Sequence, residues 1–286
     1  MKSLIGNHRL TLASFVISTA FLTSLCNLSA REIMPIPVRQ KTTQARPTTV
    51  DPGSLGTLAL VNEGARLLAA GDPGEAEVVL GRAVVENPES PEAMYNFGLA
   101  LSFNSKFVQA VQAQLKAIEH KEQFPEAYLA LGNLYLSLGE NEQALTACEQ
   151  AHQQAHNEYI RRAALFNKGT VLSRLDRFLE AEMALSECLV IDPTDTSPAF
   201  ALANLQMRQG NYEMALGWLE SVSSDYLLES SFLRCRLQLK LKDRKAAGKA
   251  LAEAKKVFTE TTNLDKELSA EFTRVLEEMS TELGAL

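Results

Sequence analysis

The sequence predicts an all-α protein, a right-handed α-solenoid of about six helix pairs with a C-terminal capping helix. Three observations lead to this expectation. Alanine and leucine dominate the 286-residue chain, of which 46% is hydrophobic and only 7% aromatic. The alternation of β-branched and polar residues that is typical of strands is missing. Small residues recur with a period near 34, a length typical of stacked helical repeats.

Residues 1–30 have the pattern of an export signal. Lys2 and Arg9 form a short basic region, an uncharged and mostly apolar stretch covers residues 10–25, and small residues precede Arg31. This order of basic, apolar and small residues is typical of a cleaved signal peptide. We therefore expect an exported protein, periplasmic or secreted.

Two alternatives to cleavage would attach the protein to a membrane through its N-terminus. The apolar stretch is about one turn short of a bilayer span of ~20 residues, and its retention as an anchor is the first alternative. Lipidation is the second, because Cys26 stands where a lipidated cysteine would. Leu25 before it departs from the usual small residue. A membrane contact is expected only if the chain is anchored or lipidated.

Residues 31–56 are predicted to be a disordered linker. Four prolines punctuate the segment, glutamine and threonine are frequent, and no apolar face recurs at helical spacing. Such a segment cannot bury enough surface to offset the entropy that is lost on ordering.

Three ladders of mostly small residues define a repeat across residues 57–261. Members of the first ladder lie 34, 34, 37, 34 and 32 residues apart. Each is followed by a member of the second ladder and then of the third. Antiparallel helices approach closely at such positions, where only small side chains fit. The ladders are Gly64, Gly98, Gly132, Gly169, Ala203 and Cys235; Ala76, Ala110, Ala144, Ala181, Ala215 and Ala247; and Ala83, Ala117, Ala151, Cys188, Val222 and Ala254.

A 34-residue period with small residues at positions 8, 20 and 27 resembles the tetratricopeptide (TPR) repeat. The resemblance implies two helices per repeat and a protein that binds other proteins. The predicted repeats are 57–90, 91–124, 125–158, 162–195, 196–227 and 228–261, with residues 159–161 inserted after the third.

Residues 262–286 are predicted to form the capping helix. Leu268, Phe272, Leu276 and Met279 lie on one stripe of this helix. The last repeat of a solenoid needs such a cap because no further repeat covers its outer face.

The TPR resemblance implies that the first helix of each repeat lines a concave groove. Among the positions that face it, position 5 is apolar or aromatic, asparagine recurs at position 6 or 9, and position 13 becomes basic toward the C-terminal half. The candidate groove residues are Asn62, Tyr95, Asn96, Leu129, Asn133, Phe166, Asn167, Arg174, Phe200, Asn204, Arg208, Arg236 and Lys240.

These residues allow two interpretations. Asparagine carries a donor and an acceptor, so a row of asparagines can bond the backbone of an extended peptide. The alternative is that they solvate the helix surface or join neighbouring helices. The cations Arg174, Arg208, Arg236 and Lys240 predict a partner with an acidic or carboxylate end, and a solvated helix surface is the alternative.

The carboxylate clamp of chaperone-binding TPR proteins is missing. Asn133 and Asn167 supply its two asparagines, but Leu129, Ser197 and Ala201 stand where the resemblance requires cations. The sequence therefore does not support a co-factor of cytosolic chaperones.

Charge and motifs limit the function classes. Residues 57–286 hold 22 basic and 33 acidic side chains, a balance that repels phosphate backbones and argues against nucleic-acid binding. No enzyme or cofactor-binding motif is present. We therefore expect a non-catalytic protein without a cofactor that binds a protein or peptide partner.

Histidine and cysteine offer the remaining chemistry. His152 and His156 share a helix face near Glu149 and could hold a metal, but the preferred interpretation is a polar helix end without a metal site. The three cysteines after residue 30 occupy packing positions and are expected to be buried thiols. A disulfide between Cys148 and Cys188 is the alternative.

A narrower resemblance is to the type IV pilus pilotins, six-repeat TPR proteins of the bacterial periplasm that help the outer-membrane secretin assemble. It rests on six repeats behind an export signal and short linker, on the extra residues 159–161, and on Ser-Pro-Ala-Phe-Ala-Leu at 197–202. It implies a role in pilus assembly. A general envelope adaptor and a membrane-tethered scaffold are the alternatives.

Overall fold

The computed structural model describes residues 52–222, 227–261 and 266–286, which contain thirteen α-helices and no strand. The all-α fold class is therefore confirmed. Residues 1–51, with the predicted export signal and most of the predicted linker, lie outside this range. No helix within it is both long and apolar enough to span a bilayer. The helices are α1 (Pro52–Ala69), α2 (Pro73–Glu86), α3 (Pro91–Phe103), α4 (Phe107–His120), α5 (Pro125–Leu138), α6 (Asn141–Gln153), α7 (Glu158–Arg174), α8 (Phe178–Ile191), α9 (Ser197–Arg208), α10 (Tyr212–Leu219), α11 (Leu227–Lys240), α12 (Arg244–Glu260) and α13 (Lys266–Ala285).

Proline and capping side chains begin several helices. The Asp72 carboxylate accepts a hydrogen bond from the Glu75 amide at 3.1 Å, and the Ser90 hydroxyl accepts one from the Ala93 amide at 3.2 Å. Such caps satisfy amides that have no partner within the helix. Helix α1 begins at Pro52, so residues 52–56 are helical although the sequence assigned them to the linker. Proline favours this start because its fixed φ suits the first helical position.

The turn inside each helix pair contains one residue in the left-handed region. Three of these are glycines with φ near 80°, and three are other residues with φ of 59°. Glycine adopts this conformation without a Cβ clash, and the turn reverses the chain for the second helix. In chain order the residues are Gly71, Ser105, Gly139, Asp176, Gly210 and Lys242.

The chain divides into two compact units, unit 1 up to Val171 and unit 2 from Leu172 onward. In unit 1, α1–α2, α3–α4 and α5–α6 form pairs, and α2 and α4 also contact the first helix of the next pair. In unit 2, α9–α10 and α11–α12 form pairs, and α13 packs on α12 and α11. The main contacts within each unit thus join helices one or two places apart along the chain.

The small residues of unit 1 lie where helices approach most closely. Ala76, Ala110 and Ala144 are completely buried. A Cβ added to Gly64 would lie 2.3 Å from Leu80 Cγ, and one added to Gly132 would lie 2.8 Å from Cys148 Sγ. Real Cβ atoms do not approach other atoms so closely, so the first helix needs glycine there.

The last helix covers the end of unit 2. Phe272 on α13 lies with its ring centroid 4.8 Å from that of Phe232 and 6.0 Å from that of Phe258. Leu276 and Met279 are also buried, whereas the side chain of Leu268 is outside the described part. This arrangement is consistent with the predicted capping helix.

The three residues inserted at 159–161 belong to a helix. Helix α7 begins at Glu158 and has 17 residues, compared with 14 in α5. The Asn157 side chain accepts a hydrogen bond from the Ile160 amide at 2.8 Å, and Ile160 is buried. The insertion therefore lengthens the first turn of α7.

Candidate peptide-binding groove

Five of the predicted groove residues of unit 1 are buried. Asn62 and Phe166 are half-buried in the same unit. A ligand touches mainly half-buried and exposed side chains, so the buried ones are placed to pack the first helices rather than to contact a ligand directly. Their role in binding stays a prediction. The buried residues are Tyr95, Asn96, Leu129, Asn133 and Asn167.

Tyr95 packs as an apolar residue. Its ring centroid lies 5.1 Å from that of Phe124, in a tilted arrangement. Burial raises the pKa of the Tyr95 phenol well above its usual range, and the nearby Glu126 carboxylate raises it further. The phenol therefore stays neutral.

Two asparagines join neighbouring first helices. The Asn167 amide Nδ2 on α7 donates to Asn133 Oδ1 on α5 at 2.7 Å, and both side chains are buried. In unit 2, Asn204 Nδ2 donates to the Phe200 carbonyl oxygen at 3.1 Å, within α9. These bonds support the interpretation that the asparagines hold helices rather than a ligand.

Large apolar side chains are exposed at the ends of first helices in unit 1. Phe103, the last residue of α3, is 40% exposed, and Leu138, the last residue of α5, is 39% exposed. Exposed aromatic and aliphatic groups of this kind are frequent anchors at protein interfaces. Neither Phe103 nor Leu138 was among the predicted groove residues, although Phe103 occupies position 13 of the second repeat, which faces the predicted groove. The sequence signal that could have identified Leu138 is its position directly before Gly139, which marks the end of the helix.

A small cavity of about 20 Å³ lies beside α3 and α5. Gln114 reaches it from α4, is completely buried, and donates from Nε2 to the Tyr95 carbonyl oxygen at 3.0 Å. Gln114 was not among the predicted groove residues, although it is the polar exception at a position that leucine or cysteine takes in the other repeats. The lining includes Gly98, Ser102, Phe103, Gln114, Ala130 and Asn133.

A larger open cleft lies on α2, a second helix. Its volume is about 510 Å³, and its walls include Val78, Val85 and Phe97. Val85 is 83% exposed. The cleft lies on a helix that the sequence does not assign to the groove. An exposed apolar residue of this cleft, such as Val85, is therefore a suitable control for substitutions in the groove of unit 1.

Arg208 of unit 2 is exposed but is paired with other groups of the same unit. Its Nη2 lies 2.6 Å from Asp176 Oδ1, and its Nη1 donates to the Ser173 carbonyl oxygen and, at 2.9 Å, to the Ser173 hydroxyl. The guanidinium carbon lies 5.3 Å from the centre of the Phe178 ring. These contacts tie α9 to the turn before α8.

Two more of the predicted groove cations, Lys240 and Arg236, lie near carboxylates of the capping helix. Lys240 Nζ lies 3.8 Å from Glu282 Oε1 on α13. Burial lowers the pKa of the Arg236 guanidinium, while the nearby carboxylates of Glu282 and Glu278 raise it in part. Arg174 is half-buried and also engaged within the protein. An acidic ligand would therefore meet carboxylates of this chain at the same cations.

Models of the tetratricopeptide repeat match residues 61–128, 125–152 and 199–224 of this sequence. The chain contains tetratricopeptide repeats. These TPR repeats support a protein-interaction scaffold, since the fold is in general non-catalytic. No curated protein sequence matches the chain.

Solved TPR structures show the same fold. PilF of Pseudomonas aeruginosa is 18% identical, covers 80% of this chain and 100% of its own, and gives a TM-score of 0.62. PilW, described as a widely conserved type IV pilus biogenesis factor, is 16% identical with the same coverage and a TM-score of 0.66. A Thermus thermophilus TPR protein is 22% identical over 65% of this chain and 98% of its own, at 0.51. Identities this low show the fold alone.

The carboxylate near the predicted histidine pair has another partner. Glu149 Oε1 lies 3.1 Å from Lys168 Nζ, and His156 Nε2 lies 3.6 Å from Glu126 Oε1. No group of three metal-binding side chains occurs in the described ranges. The carboxylate proposed to join His152 and His156 is thus paired with a lysine.

The cysteines of the repeats are buried thiols. Cys148, Cys188 and Cys235 are completely buried and none of the three is in a disulfide, so the alternative of a Cys148–Cys188 bridge is not formed here. Burial raises the pKa of the Cys235 thiol to about 11. Because the thiolate is the reactive form, Cys235 is inert at neutral pH.

Proposed function

We propose that this TPR protein is a non-catalytic adaptor of the bacterial cell envelope that binds a peptide or partner protein along its first helices. One observation carries the proposal. Helix α1 contacts α3, and α3 contacts α5, so the first helices of unit 1 lie side by side with Phe103 and Leu138 exposed at their ends. Such a surface can receive an extended or helical segment, with large apolar groups as anchors.

The acidic end of the partner is the finer part of the proposal. Lys240 and Glu282 are each about half exposed, at 50% and 46%, and such a pair contributes little in water. A ligand carboxylate can therefore replace Glu282 beside Lys240 and Arg236. Arg208 is less available, because Asp176 and Ser173 already hold it.

Recovery of partners from an envelope extract tests the groove. We expect the variant Phe103→Glu to lose the partners that the wild type recovers, since it places a charge in the apolar contact. Val85→Glu on α2 is the matched control, because it puts the same charge on an exposed apolar site outside the groove. Equal recovery by wild type and Phe103→Glu would contradict the proposal.

Charge reversal tests the acidic end separately. Lys240→Glu is expected to weaken binding of the recovered partner, and the loss should shrink as salt is raised, because screening weakens exposed charge pairs. Lys116→Glu on α4 is the control, since Lys116 is also exposed but lies in unit 1. Unchanged affinity of Lys240→Glu would remove this part of the proposal only.

Pilus secretin assembly is the second candidate. This chain spans the whole length of the PilF and PilW structures, and PilW is described as a pilus biogenesis factor. Inactivation of the gene in its host should then reduce the amount of multimeric secretin on non-denaturing gels. An unchanged amount would contradict this candidate and leave the general adaptor in place.

The envelope location rests on residues 1–30 and has its own test. Mass spectrometry of the mature N-terminus should find Arg31 after cleavage, a lipidated Cys26 after lipoprotein processing, or Met1 in a retained anchor. Cytoplasmic protein that begins at Met1 would contradict an exported adaptor.

A further inference from the structure

A buried glutamine interrupts the apolar packing of unit 1. In the other repeats, the second helix contributes leucine or cysteine at this position: Leu80, Cys148, Leu185, Leu219 and Leu251. Helix α4 contributes Gln114 instead, and this side chain is completely buried. A polar group in such surroundings destabilises the fold unless its polar atoms are bonded.

Only one end of the Gln114 amide is bonded. Nε2 donates to the Tyr95 carbonyl oxygen at 3.0 Å, which fixes the orientation of the amide because a carbonyl oxygen accepts only from a donor. Oε1 is buried and has no hydrogen-bond partner in the part of the chain that the structure describes. A donor that reached this oxygen would replace the hydration that burial removes.

The cavity beside Gln114 has room for such a donor. Its volume of about 20 Å³ exceeds the ~10–15 Å³ that one water molecule needs, so it admits about one non-hydrogen atom. Gly98 permits this arrangement, because a Cβ there would lie 2.4 Å from Gln114 Nε2. Ser102 and Phe103 also line the cavity, and both are accessible from outside, Ser102 in part and Phe103 at 40% exposure.

We propose that this cavity is a specificity subsite of the unit 1 groove, which takes the hydroxyl of a serine or threonine side chain of the bound peptide. The hydroxyl donates to Gln114 Oε1, and an apolar neighbour in the peptide covers Phe103. A hydroxyl fits the volume, whereas an ammonium or guanidinium group with its carbon stem does not. The inference rests on the proposed peptide-binding function.

A water molecule offers the same chemistry as the peptide hydroxyl. One water would fit the cavity and could donate to Gln114 Oε1, and a bound peptide would have to displace it. The difference between the two sources appears only when peptides with and without the hydroxyl are compared.

Selection from a library of random 12-residue peptides on the full chain tests the subsite. We expect serine or threonine to recur at one position beside an apolar residue. Exchange of that serine for alanine should weaken binding to the wild type about tenfold, the effect of one buried hydrogen bond. The same exchange should have no effect on Gln114→Leu, which keeps the leucine found in other repeats. Gln112→Leu, at an exposed site of the same helix, should behave as wild type.

The outcomes separate the two proposals. Peptides that bind without a hydroxyl preference, or that lose equal affinity for wild type and Gln114→Leu, overturn the subsite and leave peptide binding in place. If Gln114→Leu binds the peptides as tightly as the wild type but melts at a different temperature, the cavity holds water only. This result also overturns the subsite. No selected peptide at all overturns the subsite and the binding of peptides in the groove, and leaves only the binding of a folded partner protein. Gln114→Met, which lacks the amide oxygen but retains the chain length, repeats the test if Gln114→Leu does not fold.

Discussion

Units 1 and 2 achieve close packing of their helices by different means. In unit 1, Gly64 and Gly132 leave space that Leu80 and Cys148 of the second helices fill. In unit 2, the corresponding positions hold Ala203 and Cys235, which carry their own side chains and are completely buried. In unit 1, close packing therefore requires glycine on the first helix, because a side chain of the second helix occupies the space. In unit 2, the residues of the first helix have side chains that fill this space themselves, and the Phe272 ring of the last helix adds further packing.

The difference shows that a repeat position does not determine the effect of a substitution by itself. The close approach belongs to a pair of positions, one on each helix of the repeat. A glycine can be exchanged only where the partner side chain gives way, and the partner differs from repeat to repeat. Substitutions at equivalent positions should therefore have unequal effects in the two units.

The largest effect is expected at the end of unit 2. Phe272→Ala removes a buried ring that contacts Phe232 and Phe258, and such truncations lower the free energy of unfolding by about 3–5 kcal/mol. Urea unfolding measures it. Thr273→Ala, at an exposed neighbouring site, is the control with little change. A loss below about 1 kcal/mol for Phe272→Ala would show that the aromatic group does not hold α13 in place.

The next effect is expected in unit 1. Gly64→Ala places a Cβ 2.3 Å from Leu80 Cγ, with two more Leu80 atoms within 2.8 Å. Overpacking of this kind lowers the free energy of unfolding by about 1–3 kcal/mol. Gly81→Ala is a matched control in α2, where the new Cβ would meet Phe97 at an ordinary 3.5 Å. It should stabilise by up to about 1 kcal/mol through helix propensity. If both variants changed the free energy of unfolding in the same direction, the close approach of Gly64 to Leu80 would be contradicted.

A smaller effect tests the pairing of positions. Gly132→Ala meets one sulfur atom, Cys148 Sγ at 2.8 Å, and should destabilise by about 1 kcal/mol. In a Cys148→Ala background the sulfur is gone, so Gly132→Ala should become neutral or stabilising. A double-mutant cycle from urea unfolding measures the coupling. Additive effects of the two substitutions would show that the residues do not share one contact.

The smallest effect is expected in how the stability of each unit depends on pH, through one glutamate in each unit. Hydrogen bonds from Lys106 and then Asn104 lower the pKa of Glu77 in unit 1, whereas burial raises the pKa of Glu229 in unit 2. A lowered pKa gives stability at neutral pH that is lost as the pH falls through the folded-state value. A raised pKa gives stability in acid that is lost as the pH rises through it.

Two glutamine variants measure these opposite signs. Glu77→Gln should lower the free energy of unfolding at pH 7 by less than about 1 kcal/mol, because the Lys106 side chain of its ion pair is 47% exposed and water screens the pair. Its effect should disappear as the pH falls through the folded-state pKa of Glu77. Glu229→Gln should raise the stability at pH 7, where the wild type carries the cost of a buried charge. Effects of the same sign at pH 7 would contradict the assigned causes.

Much of the fold follows from the sequence because close packing leaves a strong periodic signal. Ala76 and its counterparts are completely buried in every repeat, and this requirement for small side chains is what the ladders record. The start of α1 did not follow, because prolines in residues 31–56 suggested a linker while Pro52 begins a helix. The residues at 159–161 were recognised as extra, but only the structure places them in α7.

The candidate site followed less well because it depends on contacts between distant residues. The repeat register indicated which positions face the groove, but not how deeply each side chain is buried, as Tyr95 and Phe200 show. Nor could it show that Asp176 holds Arg208, or that Glu282 lies beside Lys240. Gln114 left a signal as a polar exception, and its meaning required the cavity beside it.

The pattern of contacts between neighbouring helices has a consequence for how the protein acquires its structure. Because the main contacts in each unit join helices one or two places apart, little chain entropy is lost in closing loops before a contact forms. Each helix pair can therefore fold soon after it becomes available, without waiting for distant segments. Folding should be fast and sequential, and native-state hydrogen exchange should show the pairs opening in steps.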